Sequence, residues 1–301
     1  MAGKIRLDVL LHQRGLFPSR EAARRAVMAG LVKHGEEVLD KPGLQVKEDL
    51  QIAVDKPLHP YVGRGGLKLE KALAAFALDI GGAVVIDVGA STGGFTDCAL
   101  QHGAAHVYSV DVGYGQLAWK LRADERVTVM ERTNFRHVDP FVFDPKPSFA
   151  VMDVSFISAG LLFPKLVEVL RVPFTIVSLV KPQFEAGRED VGKGGIVRDR
   201  LVHERVLREH ADMGEKLGLV LRGLTYSPVT GGDGNIEYLS WWESKGNLQS
   251  NDKAQSAEEP DDLPAKAAGI PIISAAEVAQ VVHDAWNSLS EQGKGHSEPE
   301  S

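Results

Sequence analysis

One thirteen-residue stretch, Val84–Thr96, limits the folds open to this chain more than any other. It begins with the apolar run Val84–Val88, which only Asp87 interrupts, and continues into the glycine-rich turn Gly89–Gly94. Such a run, followed by glycines and then by residues that suit a helix, is typical of a buried strand leading into a ligand-binding loop at the carboxyl edge of a parallel sheet. The stretch therefore predicts an α/β fold.

The same alternation of apolar runs and helical periodicity extends from residue 67 to residue 243. It predicts a doubly wound, mostly parallel sheet of seven strands with helices on both faces. A leading helix is expected at 67–78. The predicted strands are 83–88, 106–111, 127–130, 149–153, 174–180, 219–226 and 236–242, and the other predicted helices include 93–102, 157–170 and 199–217.

A smaller α+β unit is predicted ahead of this domain, at 4–58. It has two helical segments, 6–11 and 19–28, and Ser19 is in a position to cap the second. The segment 59–66 is rich in Gly and Pro and is interpreted as a linker.

Three segments are predicted after the large domain at 67–243. Residues 244–274 form a polar, acidic connector, 275–290 a helix that packs on the large domain, and 291–301 a disordered tail.

Composition and charge exclude several classes of protein. The chain is 44% apolar and 25% charged, as ordinary globular proteins are, and no apolar run approaches the roughly 20 residues that span a bilayer. The single cysteine, Cys98, excludes a disulfide framework and favours a cytoplasmic location.

The net charge is −7, yet residues 244–301 hold ten acids and four bases, whereas residues 1–60 hold ten bases and eight acids. Because the local charge governs binding, the net negative charge does not exclude a nucleic-acid partner.

The glycine-rich turn indicates the kind of cofactor. It lacks the dinucleotide pattern G-x-G-x-x-G, and no Gly-Lys-Ser/Thr follows to make a phosphate-binding loop. Asp87 can meet an ammonium group, while Asp111, at the end of the next strand, is placed to accept the ribose hydroxyls of an adenosine. This arrangement favours S-adenosylmethionine, and no metal site is predicted. The predicted cofactor-binding residues are Asp87, Gly89, Ala90, Ser91, Thr92, Gly93, Gly94, Phe95, Asp111, Val112 and Asn134.

Charged residues also follow two later strands. Asp153 and Lys181 end apolar runs and are expected at the same sheet edge. Glu237 joins them if the last strand is antiparallel, and Lys68 on the leading helix can reach over the crevice. A ribose 2′-hydroxyl needs help to lose its proton, and a lysine beside balancing carboxylates can provide it. These four residues are the predicted catalytic group for ribose methylation, and either lysine can be the base.

Basic side chains in the first unit indicate a nucleic-acid surface. Arg20 and Arg24 lie four apart and leave the same side of a helix. With Leu7-Asp8, Ser19-Arg20-x-x-Ala23 and Gly30-x-Val32 to Gly35, the unit resembles the S4 RNA-binding domain over about fifty residues. The predicted RNA-binding residues are Arg6, Arg14, Ser19, Arg20, Arg24, Lys33 and Arg64.

The two domains together resemble the TlyA (hemolysin A) family of FtsJ-like methyltransferases. The resemblance implies a ribose 2′-O-methyltransferase that acts on cytidine in ribosomal RNA of the large subunit and in some members of the small one. It gives the catalytic roles to the same four charged residues. It is carried by Arg64-Gly65-Gly66-x-Lys68-Leu69, the stretch from Asp87 to Thr96, Asp111-Val112-Gly113-Tyr114-Gly115-Gln116-Leu117, Asp153-x-Ser155-Phe156-Ile157-Ser158, Lys181-Pro182-Gln183-Phe184-Glu185 and Gly234-Asn235-x-Glu237-Tyr238.

Three other interpretations are weaker. Base methylation usually needs a nucleophilic cysteine or an Asn/Asp-Pro-Pro-aromatic turn, whereas the corresponding turn here is Asp153-Val154-Ser155-Phe156. A non-catalytic ribosome assembly factor does not need the cofactor loop and four charged residues. A membrane-lytic protein is expected to have a spanning segment or a strongly basic amphipathic helix, and the sequence offers neither.

Overall fold

A computed structural model of the chain divides into two compact units, Met1–Pro60 and Tyr61–Ser301. The predicted acidic connector and tail fall almost wholly outside the residues that the structure describes. The described residues are 4–17, 19–28, 30–54, 59–231, 234–245 and 273–292.

The first unit packs two helices against short strands. Its core is formed by side chains that include Leu7 and Leu11 from the first helix and Ala23 and Val27 from the second. The strands form a pair, β1-β4, and a triplet, β3-β2-β5. The elements are β1 (Lys4–Arg6), α1 (Leu7–Gln13), α2 (Arg20–Met28), β2 (Val32–His34), β3 (Glu37–Val38), β4 (Gln45–Lys47) and β5 (Ala53–Val54).

Local chemistry fixes both ends of α2. The Ser19 hydroxyl accepts the Ala22 backbone N–H at 3.1 Å, which satisfies one donor of the first turn. Gly30, just after the helix, has φ of +70°, a conformation that costs other residues energy.

The second unit is built on one seven-stranded sheet, which confirms the predicted fold class. Its order is β11-β12-β10-β9-β6-β7-β8. The five strands from β6 to β10 run parallel to one another, and β12 runs antiparallel to both β10 and β11. The strands are β6 (Val84–Val88), β7 (His106–Val110), β8 (Val127–Met130), β9 (Phe149–Met152), β10 (Thr175–Val180), β11 (Leu219–Tyr226) and β12 (Tyr238–Ser244).

Helices cover both faces of this sheet. Alternate residues of each central strand enter different cores: Val85 and Val151 pack on one face, and Ile86 and Ala150 on the other. Because both faces are covered, the central strands are mostly apolar, with only single polar residues such as the buried Asp87 and Ser178. The helices are α3 (Gly65–Ala75), α4 (Gly94–Gln101), α5 (Trp119–Arg122), α6 (Phe163–Val169), α7 (Pro182–Glu185), α8 (Arg200–Lys216) and α9 (Ala275–Gln292).

The last helix, α9, contacts α8 and β11. Its buried side chains Val278, Val282 and Ala285 pack in one cluster with Val206 and Leu207 of α8. This apolar stripe holds α9 on the second unit. No helix in the described ranges is long and apolar enough to cross a membrane.

Some element ends differ from those predicted. The helix expected at 157–170 is a 3₁₀ turn, Ala159–Leu161, followed by α6, because Pro164 in the first turn lacks an N–H to donate. The leading helix ends at Ala75 rather than 78, and Ala77 has φ of +49°, which is incompatible with a continuing helix. The last strand begins at Tyr238, so Glu237 lies immediately before it.

We expect Gly214→Ala to destabilise the second unit, although the same change in an open helix is stabilising. A Cβ atom at Gly214 would lie 2.2 Å from the buried Trp242 ring. Such overpacking costs about 1–3 kcal/mol. Urea unfolding followed by tryptophan fluorescence measures the change, with Glu215→Ala at an exposed neighbouring position as control. A stability equal to or above that of the wild type would contradict this packing.

Candidate active site

Four charged side chains meet at the carboxyl edge of the sheet, as the strand ends predicted. Asp153 follows β9 and Lys181 follows β10, two strands that pair in parallel. Glu237 precedes β12, whose antiparallel direction brings its start to the same edge. Lys68 reaches this edge from α3.

The four groups form one chain of ion pairs. Lys68 Nζ lies 2.7 Å from Glu237 Oε2 and 3.2 Å from Asp153 Oδ2. Lys181 Nζ lies 2.5 Å from the other oxygen, Oδ1, of the same aspartate. Asp153 is therefore shared by both lysines, one on each of its oxygens.

Burial strengthens the electrostatic attraction within these ion pairs, because little water screens the charges. The side chains of Lys68 and Lys181 are 10% and 9% exposed, and that of Glu237 is 3% exposed. Burial alone would raise the pKa of Asp153, but the two ammonium groups outweigh it and lower the pKa. Burial likewise opposes the charge of Lys68, yet Asp153 and Glu237 together raise its pKa. Lys68 therefore keeps its proton.

Lys181 has a different environment from Lys68. It is paired with one carboxylate instead of two, and it also donates to the neutral Ser155 hydroxyl at 3.0 Å. The Phe184 ring lies 5.9 Å from its Nζ. The structure therefore gives the two lysines different surroundings, whereas the sequence alone did not distinguish them.

The glycine-rich loop lies tightly against this network. Gly89 has φ of +88°, and a Cβ atom there would lie 2.4 Å from the backbone oxygen of Asp153. Gly93 has φ of +94°, and a Cβ atom there would lie 2.2 Å from Leu121. Only glycine allows the loop to approach both neighbours this closely.

Asp87 lies behind the loop, and its side chain is fully buried. Its Oδ2 accepts the Thr96 backbone N–H at 3.0 Å and the Thr96 hydroxyl at 2.7 Å, which ties the start of α4 to β6. Its Oδ1 is buried without a hydrogen-bond partner. Burial raises the pKa of this carboxyl to about 7.

Asp111 and Asn134 line a second part of the crevice. Asp111 accepts the backbone N–H of Ser91 at 2.7 Å and that of Gly113 at 2.6 Å. Asn134 caps a short 3₁₀ turn by accepting the Arg136 N–H at 3.1 Å. Both still face a cavity of about 350 Å³.

Three adjoining cavities meet at Asp153 and Ser155, which line all of them. The largest, about 540 Å³, contains the four-charge network and is lined also by Arg64. The second, about 350 Å³, is lined by Asp111, Val112 and Asn134. The third, about 210 Å³, is lined by Gly89, Ala90, Ser91, Thr92, Gly94 and Phe95.

Two further residues at this site were not among the predicted ones. Asn235 is buried, and its amide accepts the Val197 N–H at 3.1 Å and donates to the Gly195 carbonyl at 2.8 Å. It thereby fixes a glycine-rich segment that lines the largest cavity, two residues from Glu237. Its place beside Glu237 in the Gly234–Tyr238 motif was the available signal.

Phe156 is the second residue that was missed. It is 92% exposed and has φ of +65°, which is uncommon for a residue with a side chain. Its ring lies 5.2 Å from that of Phe184, and it lines two of the three cavities. An exposed aromatic side chain in a strained turn beside the four-charge network indicates a ligand-binding role.

The predicted RNA-binding residues of the first unit have varied surroundings. Arg6 and Arg20 both bind Asp8. Arg14 donates to the backbone carbonyls of Leu50 and Glu48, and therefore braces its own unit. The remaining predicted residues of this unit are Ser19, which caps α2, Arg24, which is exposed, and Lys33, which is half-buried on β2.

Fold and site together define a Rossmann-like methyltransferase: a seven-stranded sheet with one antiparallel strand and a glycine-rich loop at the carboxyl edge. Residues 61–244 match the FtsJ-like methyltransferase family and residues 5–52 match the S4 domain. The chain belongs to the FtsJ-like methyltransferases, in the TlyA (hemolysin A) group that carries an S4 domain. The predicted family is thereby confirmed.

Three relatives illustrate this membership. YqxC of Bacillus subtilis (strain 168), a candidate rRNA methyltransferase by its name, is 50% identical, and the match covers 96% of each chain. The 16S/23S rRNA (cytidine-2′-O)-methyltransferase TlyA of Mycobacterium tuberculosis (strain ATCC 25618 / H37Rv) is 41% identical, over 87% of this chain and 96% of the relative. A solved structure of a candidate hemolysin from Streptococcus thermophilus is 43% identical with a TM-score of 0.70, over 98% of this chain and 100% of that one.

We expect Gly89→Ala to reduce methyl transfer about 100-fold, because the new Cβ atom displaces Asp153 and small misplacements of catalytic groups are costly. Gly82→Ala is the matched control: Gly82 also has positive φ, but no other atom lies within 4 Å of a Cβ built there. It should lose about 1–2 kcal/mol of stability and keep its activity. Equal activity of the two variants would contradict the role given to the loop.

Asp87 should make stability depend on pH. Its pKa is about 7 in the folded chain and about 4 when unfolded, so the folded state binds more protons between these values. Stability should therefore fall as pH rises from about 4 to 7, by up to roughly 1.4 kcal/mol per unit. Asp87→Asn cannot ionise and should remove this contribution. Urea unfolding of the wild type and of Asp87→Asn at pH 5 and pH 7 tests it. If the free energy of unfolding changes equally between the two pH values in both proteins, the prediction is refuted.

Proposed function

We propose that this protein transfers a methyl group from S-adenosylmethionine to the ribose 2′-hydroxyl of cytidine in ribosomal RNA. The observation that carries the proposal is the buried network in which Asp153 joins Lys68 and Lys181. The names of relatives such as the 16S/23S rRNA (cytidine-2′-O)-methyltransferase support cytidine in ribosomal RNA as the substrate. The S4 domain supports RNA as the partner.

The residues around the second and third cavities fit S-adenosylmethionine. The Asp111 carboxylate, whose oxygens each keep a further lone pair, would hold the ribose hydroxyls, and Asn134 would lie near the adenine. The loop Gly89–Phe95 would hold the amino-acid part. Asp87 has one buried, unpartnered oxygen behind this loop, which an ammonium group would complement. When bound, the cofactor supplies an electrophilic methyl group on a sulfonium.

Within the network we assign the proton transfer to Lys181. Lys68 is fixed between Glu237 and Asp153, which raise its pKa, so it retains its proton and stabilises negative charge. Lys181 shares only Asp153 and otherwise donates to a serine hydroxyl, so we assign to it the neutral amine form, in which the Nζ lone pair accepts the proton of the 2′-hydroxyl. Asp153 then balances the ammonium group that results.

The largest cavity is suited to the target nucleotide. Phe156 and Phe184 present aromatic surface on which an unstacked base can pack. Arg64 lines the same cavity and is exposed, as a contact to phosphate requires. Together these groups would hold the base and backbone while the 2′-hydroxyl faces Lys181.

Lys181→Ala should lower the rate of methyl transfer to ribosomal subunits by about 100- to 10,000-fold, the usual size of general-base catalysis. Lys181→Arg should be similarly impaired, since a guanidinium group does not release its proton. Single-turnover incorporation of labelled methyl measures both, and Lys216→Ala, at an exposed position of α8, is the control. Cofactor affinity, measured in parallel because Lys181 also lines the third cavity, should change far less than the rate. Near-normal activity of Lys181→Arg would show that Lys181 acts only as a fixed charge.

A further inference from the structure

A buried carboxylate joins two arginines of the first unit. Asp8, in the first turn of α1, is 2% exposed. Its Oδ1 accepts from Arg6 Nε at 3.0 Å, and its Oδ2 accepts both from Arg6 Nη2 at 2.9 Å and from Arg20 Nε at 3.0 Å. Arg6 ends β1 and Arg20 begins α2, so Asp8 connects basic residues from two separate elements.

This arrangement holds two positive charges side by side. Each guanidinium has a nitrogen about 3 Å from the same Asp8 oxygen, so the two groups adjoin. The hydrogen bonds from Arg6, together with the smaller contribution of Arg20, lower the pKa of Asp8 to about 2 against the opposing effect of burial. The carboxylate therefore stays ionised at neutral pH and offsets the repulsion between the arginines.

Both arginines still present donors to solvent. Their side chains are 44% and 51% exposed. Arg20 contacts Asp8 through Nε, which leaves its two terminal amino groups for another acceptor. Arg24 lies one turn further along α2 and is also exposed. Adjoining guanidinium groups of this kind suit the oxygens of a phosphate.

We propose that Asp8 is a positioning residue for RNA recognition, which holds Arg6 and Arg20 together as one phosphate-binding pair. The proposal rests on the proposed function, in which the first unit binds RNA. Fixing two long side chains before binding reduces the entropy lost when the complex forms. A carboxylate near RNA also repels phosphates, so pre-organisation and simple charge repulsion predict opposite signs for its removal.

The test compares the full-length protein with D8N in binding to purified large ribosomal subunits at two salt concentrations. Asp8→Asn keeps the shape of the side chain and removes one negative charge. We expect it to weaken binding about tenfold, because the arginines lose their common anchor. Glu36→Gln is the matched control, since it removes an exposed acid of the same unit; its affinity should be unchanged or slightly tighter. Equal or tighter binding by D8N would overturn the proposal.

A double-mutant cycle tests whether Asp8 acts through the arginines. In the R6A/R20A background, D8N should cause no further loss of affinity. The same tenfold loss in that background would mean that Asp8 supports the unit as a whole, and the proposal would be wrong. Full affinity of R6A/R20A itself would instead contradict RNA binding by this surface, so the two failures are distinguishable.

Arg20→Lys tests the same pair without altering α1, so a change in the folding of that helix cannot explain its result. It keeps the charge and leaves Asp8 in place, but loses the planar group that donates to Asp8 and to phosphate together. We expect a loss similar to that of D8N, with unchanged thermal unfolding. Wild-type affinity of R20K would contradict the pairing.

Discussion

The charge network at the carboxyl edge of the sheet depends on one carboxylate, Asp153, that is shared by two buried lysines. Two ammonium groups held so close together in a poorly solvated site would repel each other strongly without it. The position of Asp153 is itself set by the sheet, because it directly follows β9, between β6 and β10. Its backbone oxygen packs against Gly89, so the same residue contacts both the glycine-rich loop and the charge network.

The sheet was largely predictable from the sequence for a physical reason. Its central strands are covered on both faces, so each appears as an apolar run, and β6, β9 and β10 lie within one residue of their predicted bounds. The edge strands at 127–130 and 219–226 also have the predicted bounds. The helix ends were less predictable because they depend on local conformation and on contacts distant in sequence. The break before α6 and the left-handed residue Ala77 are two examples.

The candidate site was likewise predictable in part: the sequence identified its charged residues but not the contacts that they make. The carboxyl ends of parallel strands meet at one edge, which identified Asp153 and Lys181 as candidates. Glu237 was added by assuming an antiparallel last strand, and Lys68 by its place on the leading helix. Which partners each lysine has could not be predicted, since that depends on side-chain reach across 85 and 169 residues of sequence. The role of Asn235 depends on hydrogen bonds to residues about 40 positions away, which no local pattern reveals.

In the proposed reaction, the residues at this edge of the sheet deprotonate a ribose hydroxyl, and the methyl group goes to the ribose and not to the nucleobase. The most direct measurement is the position of the methyl group after reaction with unmodified large ribosomal subunits, by nuclease digestion and mass spectrometry of the nucleosides. We expect the added mass on the ribose of a cytidine, as 2′-O-methylcytidine. A methyl group on the base would leave the cofactor assignment in place and contradict the mechanism assigned to Lys181 and Asp153.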